Sequence, residues 1–341
     1  MTLHFATWPP EALAGIFLML GAITGCVANL WATALTVTPP QRLPGGNGTD
    51  SQSFPAELTA RRNRFLGKRI GLRGIVVGLF TGLLFAAYVL SAVRLQCQEV
   101  PEVRPDDLWK SVRIIFHLIL ISLLVAATLT DLRKYTIPDQ ITLGGLLVGI
   151  LVATLSGQLQ IEHVWVDWNQ EVPGMRGPYI PDWLDANRHW HGFAWSVAGA
   201  LVGAGLTWFV RGMSGVILGR ESIGSGDITF MAMIGSFVGW QPAVVVFVLA
   251  PICGIVCTVP LRLVTKKAYL PYGPFLAAAT IVVLFSWKWV WQWSRLVFGH
   301  PQSLALLGGV AAGGFIVLLL ILRIWHARFG EPGPPEIRFD D

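Results

Sequence analysis

The sequence predicts an all-α, polytopic transmembrane helical protein with about eight to nine spans and its N-terminus outside. Three observations carry that reading. Of 341 residues, 53% are hydrophobic and only 13% are charged, against roughly 25% charged in an ordinary soluble domain. The mean hydropathy is +0.58. The apolar residues also gather in runs of about 20, the length at which a helix crosses a hydrocarbon core. So little polar side chain cannot cover the surface of a water-soluble globule. Four cysteines in a chain this long form no disulfide framework. The net charge of +5 and pI near 9.2 call for no nucleic acid, because membrane proteins collect Lys and Arg on their cytosolic side.

Nine runs qualify as spans, at about 11–37, 73–93, 112–130, 138–157, 192–213, 227–240, 242–263, 272–293 and 302–325. The first stands near the N-terminus, yet no basic flank precedes it and Glu11 opens it, so it reads as a retained helix rather than a signal peptide. The sixth is short and reads as a tilted or re-entrant segment. With the N-terminus outside, seventeen Lys and Arg fall in cytosolic segments and eight outside. That bias fixes the orientation.

The connections follow from composition. The cytosolic loop 38–72 opens with Pro39-Pro40, Pro44-Gly45-Gly46 and Asn47-Gly48, then turns basic from Arg61 to Arg73. It reads as a flexible connector whose basic end meets anionic headgroups or simply sets topology. The outer loop 158–191 carries Trp165, Trp168, Trp183 and Trp190, a belt expected to lie on the membrane surface.

Acidic side chains at the ends of apolar runs are costly and tend to be functional. Asp131 directly follows the run Ile114–Thr130, and Asp227 closes Gly224-Ser-Gly226-Asp227. Ninety-six residues and two crossings separate them, so both stand at cytosolic depth. Two carboxyls sharing a partly desolvated site cannot both ionise cheaply, so one keeps a proton. The ionised one can take a proton from an attacking water while the other polarises a peptide carbonyl. The two titrate as a unit, and neither is permanently the base. Gly224 and Gly226 let backbone approach closely.

Other polar residues carry plainer readings. His117 stands mid-span and fits a hydrogen bond to a neighbouring helix. His189 and His191 flank Trp190 without a metal set. Cys253 and Cys257, one turn apart in an apolar run, read as packing residues. Asp139, behind Pro138, is placed to orient Arg133 or cap the next helix. Lys266 and Lys267 fit a topology signal and would repel a basic peptide.

These motifs, in this order, resemble those of the type IV prepilin peptidases, the bacterial members of the GxGD class of intramembrane aspartic proteases. The family's first segment runs Asp, polar residues, Leu/Ile-Pro-Asp/Asn; here it is Asp131-Leu-Arg-Lys-Tyr-Thr-Ile137-Pro138-Asp139. The second, Gly-x-Gly-Asp to Gly-Trp, is Gly224-Ser-Gly226-Asp227 through Gly239-Trp240. An aromatic-Gly-Pro-aromatic-Leu run appears as Tyr272-Gly273-Pro274-Phe275-Leu276, and a fainter match runs from Gly21 to Asn29. The resemblance implies an aspartic endopeptidase of the bacterial inner membrane, acting at the cytosolic face through Asp131 and Asp227. Gly224, Gly226, Pro138, Asp139, Gly273 and Pro274 would support the site. Prepilins or pseudopilins would be the substrates, lipid the surroundings, and no cofactor is implied.

The chain departs from that family in two places. Loop 38–72 has none of the paired Cys-x-x-Cys residues that bind zinc and accompany N-methylation of the product. The family's acidic position after that loop is Gly78. Cleavage without metal or methyl transfer is therefore expected. The organisation read from this is an N-terminal two-helix region, 1–93, a peptidase core, 111–294, and an added helix with a Pro-rich cytosolic tail, 295–341. A non-enzymatic membrane protein is the rival: a proton-coupled transporter, or a degenerate peptidase homologue acting in pilus or secretion assembly. A transporter would favour inverted internal repeats, and none is found. Cysteines placed in 94–110 and 158–191 should react with an impermeant reagent added outside, and those in 38–72, 214–226 and 264–271 should not. Outside labelling near Gly224 would put the two carboxylates on different faces.

Overall fold

Within a bilayer each backbone N–H and C=O must find its partner inside the protein. In the computed structural model, which describes residues 5–36, 72–103, 105–165, 186–220, 222–265 and 271–330, helices meet that demand, and no strand occurs among the described residues. The helices are α1 (Pro10–Thr36), α2 (Leu72–Leu90, continued by a π turn Ser91–Leu95), α3 (Asp107–Lys134) and α4 (Asp139–Ser156). They continue as α5 (Arg188–Leu218), α6 (Ser225–Val238), α7 (Trp240–Thr265), α8 (Gly273–Gly299) and α9 (Pro301–Phe329). Each of the nine runs read from the sequence corresponds to one of them. Eight are long and apolar enough to cross a membrane; α6 is not. Loop 38–72 as far as residue 71, Trp168, Trp183, Lys266, Lys267 and the tail from 331 lie outside the described residues.

The short helix α6 is the hub. All of Phe230–Val238 is buried, because α3, α4, α5, α7 and α8 wrap it. Small residues set the distance of that wrapping. Gly199 of α5 and Gly235 of α6 meet backbone to backbone, and Gly145 and Gly149 of α4 admit Met233, Ser236 and Phe237. Phe116 of α3 stacks on Phe237 at 4.4 Å between ring centroids. A 14-residue helix is about 21 Å long, so it stops inside a core about 30 Å thick.

Two non-helical segments fill the outer half above it. Trp240 Nε1 donates to Val164 O and Gln241 Nε2 to His163 O, both at 2.6 Å. Leu159, Ile161 and Glu162 are fully buried. The start of the outer loop thus dips into the bundle instead of lying on the surface; Trp165 and Trp190 remain exposed. The second segment, 96–103, opens the ladder of α8. Lys288 N–H donates to Cys97 O at 2.8 Å, Gln98 Nε2 donates to Leu284 O, and Trp291 Nε1 donates to Glu102 Oε2 at 3.1 Å. Irregular backbone is tolerated at membrane depth when it is buried in protein in this way.

Helices α1 and α2 form a tight hairpin. A Cβ on Gly82 would stand 2.5 Å from Leu18 O, and one on Gly78 would stand 2.9 Å from both Ala22 O and Cys26 Sγ. At the opposite edge, α9 has a single buried residue, Leu319, and its Gly308, Gly309, Gly313 and Gly314 face open space. The contrast gives a stability test. Gly78→Val overpacks the hairpin and should cost about 1–3 kcal/mol, whereas Gly313→Val should stay within about 0.5 kcal/mol. Unfolding in detergent, followed by fluorescence, measures both.

Candidate active site

The site begins where α3 ends. Asp131 is the last buried residue of α3, four residues before Tyr135, which leaves the helix in the left-handed region (φ 56°) and donates its N–H to Asp131 O at 2.8 Å. The chain then runs extended through Pro138 into α4. This turn swings Ile137 back under the end of α3, where it forms the floor between two other helix starts.

Those starts supply the donors. Gly273 N–H, at the N-terminus of α8, donates to Asp131 Oδ2 at 3.1 Å. Gly224 N–H, just before α6, donates to Asp227 Oδ2 at 3.1 Å. Each carboxylate therefore sits at the positive end of a helix, where free N–H groups and the helix dipole favour an anion. Their relative exposures are only 5% and 9%. The two lie within electrostatic reach of each other. In each, Oδ1 has no hydrogen bond within the protein among the described residues, which leaves it to water or substrate.

Glycine is required at one of these positions for space. A Cβ on Gly273 would stand 2.5 Å from Asp131 Oδ2 and 3.0 Å from Ile137 Cδ1. Gly226 is roomier, with Ile137 O at 3.4 Å from the same construction. Pro274 occupies the first turn of α8, where no helical bond is lost by its missing N–H. Asp131, Asp227, Gly224, Gly226, Gly273 and Pro274 thus converge at one end of the bundle. Asp139 does not join them. It is exposed in the first turn of α4, and the cap position belongs to Pro138.

Three residues near the dyad carried no role in the sequence reading. Arg133 donates to Asn29 Oδ1 and, at 2.8 Å, to Thr33 Oγ1 of α1. Both acceptors are nearly fully buried, and a buried Asn in an apolar helix was the signal for such a partner. Arg211 of α5 donates to Ile223 O at 3.0 Å, fixing the loop that leads to Gly224. Tyr272 is half-buried, and burial together with the nearby Asp227 charge pushes its hydroxyl well above the usual phenol range. The signal there was an aromatic next to Gly273.

The histidines lie elsewhere. His117 Nδ1 bonds Tyr88 Oη of α2 at 2.8 Å, the helix-to-helix bond expected of it. His189 Nδ1 bonds Thr154 O, and His191 faces Gln160. All four cysteines are free. Among the described residues no three His, Cys, Asp or Glu side chains converge in a way that would hold a metal ion.

Residues 118–171 and 179–259 match the type IV leader peptidase family. The first stretch holds Asp131 and the second Asp227. Among curated proteins, the chain is 28% identical over 170 residues to a prepilin leader peptidase/N-methyltransferase of Aeromonas salmonicida, covering 49% of this chain and 47% of that protein. It is 29% identical over 163 residues to the one from Pectobacterium carotovorum, covering 47% of each. An Escherichia coli type 4 prepilin-like proteins leader peptide-processing enzyme is 28% identical over 170 residues, covering 49% of this chain and 50% of that one. The chain spans about half the length of these relatives. No solved structure matches it.

Proposed function

We propose that this chain, whose residues 118–171 and 179–259 match the type IV leader peptidase family, is a membrane aspartic endopeptidase that removes the leader from prepilin- or pseudopilin-like proteins. The observation that carries this reading is the pair of carboxyls, each anchored through one oxygen to a helix-start N–H and each with the other oxygen open. The anchoring bonds hold one oxygen of each group in place and leave the other for water and substrate. One carboxyl keeps the proton that their proximity makes costly to lose. The ionised partner takes a proton from water, and the hydroxide oxygen bonds to the scissile carbonyl carbon. The protonated partner donates to the carbonyl oxygen, so the tetrahedral intermediate forms without a bare oxyanion. Collapse breaks the C–N bond: a carboxyl proton passes to the leaving amine, and a hydroxyl of the tetrahedral intermediate returns its proton to a carboxylate as the C=O re-forms. The pair ends with its original single proton.

The placement suits a substrate with a short basic leader followed by an apolar helix. The helix would remain in the bilayer and the leader in the cytosol, so the bond between them would meet the dyad at the cytosolic end of the bundle. The glycines at 224, 226 and 273 leave room for an extended strand beside the carboxyls. The site would work in the inner membrane of a bacterium.

Methyl transfer is not part of this proposal. Loop 38–72 has neither Cys nor His, and a structural zinc needs about four such ligands. At Gly78 the backbone of α1 stands too close for any side chain, acidic ones included.

In an in-membrane assay with precursor and product separated by electrophoresis, Asp131→Asn and Asp227→Asn should each lower processing by at least about 10³-fold. Gly273→Ala should cost on the order of 10²-fold, since its methyl displaces the Asp131 carboxylate. Near wild-type processing by either Asn variant removes the dyad from the mechanism. The product made with S-adenosylmethionine present should carry a free N-terminal amine in mass spectrometry. A product heavier by one methyl group, made by this protein alone, would show that a methyl site exists outside the described residues.

A further inference from the structure

A lysine stands where the fold makes one expensive. Lys288 lies on α8, fifteen residues beyond Gly273 at the level of the dyad. That distance along the helix is about 22 Å, and tilt only shortens it across the bilayer. The ammonium is thus placed below the outer boundary of a core about 30 Å thick. A cation at such depth is tolerated when it faces a partner or a hydrated cavity. Lys288 faces a cavity of about 690 Å³ between α3, α8, the segment 96–103 and Pro105. Among the described residues its side chain has no hydrogen bond or ion pair. The one carboxylate among the lining residues, Glu99, is 3.8 Å from Lys110, which also pairs with Asp107 at 3.2 Å.

The cavity is basic on the face where the chain otherwise avoids basic residues. Eight Lys and Arg fall outside, and three of them, Lys110, Lys288 and Arg295, line this space. Gln96 and Gln292 add amide groups to the same walls. Those walls are fixed: the Lys288 backbone is tied to Cys97 O, and Trp291, another lining residue, is tied to Glu102. A point cation, a guanidinium and amide donors on a rigid frame suit a tetrahedral oxyanion. The volume lies in the range of small-ligand sites, enough for a phosphate and what it is esterified to.

We propose that this outer cavity binds a phosphate group, held by Lys288 and Arg295, on either an anionic phospholipid of the outer leaflet or a soluble phosphate. The site is separate from the dyad and does not depend on the proteolytic reading. Purified full-length protein, titrated with phosphatidylglycerol or phosphatidylcholine in detergent, should by native mass spectrometry retain the anionic lipid selectively. Lys288→Gln and Arg295→Gln should each lower that retention about tenfold, the loss of one charge-assisted bond. Arg188→Gln, an outer cation away from the cavity, should leave it unchanged. Inorganic phosphate that displaces the lipid from the wild type identifies a soluble phosphate as the ligand, and failure to displace it identifies the headgroup. Retention of both lipids alike, or retention by both Gln variants equal to wild type, overturns the site.

Discussion

A carboxylate at the end of an apolar helix must be given a donor, and at that depth nearly every backbone N–H is already committed to a helical ladder. The exceptions are the first N–H groups of each helix. The arrangement of the cytosolic end follows from this scarcity. Asp131 ends α3 and borrows Gly273 N–H from the start of α8; Asp227 opens α6 and uses Gly224 N–H beside it. For both bonds to exist, α6 and α8 must begin at the level where α3 stops. The left-handed turn at Tyr135 and the extended run through Pro138 then clear the chain from beneath them. Gly273 has no alternative residue, because the oxygen it binds occupies the place of a side chain.

The same rule about backbone partners explains the outer half. A hub helix wrapped by five others cannot also be long, since its neighbours would need small residues along their whole length. Helix α6 stops at Gly239, whose positive φ of 84° turns the chain sharply into α7. The volume left above it is filled by 157–165 and 96–103, where Gln241 and Trp240 donate to the carbonyls of His163 and Val164, Gln98 donates to Leu284 O and Trp291 donates to Glu102. Buried polar connections of this kind are specific in geometry, so they fix the helices they join. They also bring the Lys288 ammonium and a cavity with polar walls to a depth where a uniform bundle would have neither.

Much of this was legible in the sequence, for definite reasons. Span positions follow from run length, and the shared depth of Asp131 and Asp227 follows from counting crossings. The ends of α3 and α5 ran further than the apolar pattern because hydropathy drops at Asp107, Arg133 and Arg188 while the helical ladder does not. What was not legible depends on neighbours distant in sequence. Nothing in Leu159, Ile161 and Glu162 says that they are buried, since the enclosing residues lie on α3, α5 and α7. Asp139 looked like a cap by type, but Pro138 holds that position. The partner of Arg133 is about a hundred residues upstream, beyond any helical or strand period.

That long-range pair also accounts for the place of the α1–α2 hairpin. Its loop carries no Cys, and a side chain at Gly78 would meet Ala22 O and Cys26 Sγ. Most of the hairpin's contacts lie within itself, across glycines 21, 25, 78 and 82, with α1 also packed along α3. Yet Asn29 and Thr33 hold Arg133, two residues beyond Asp131 and on the same last turn of α3. Arg133 is half-buried and its two acceptors are nearly fully buried, so leaving them without a donor would be costly, and the turn that presents Asp131 is tied to α1 as well as to α8. The hairpin is therefore a structural wall of the carboxylate site, whatever else its relatives use it for.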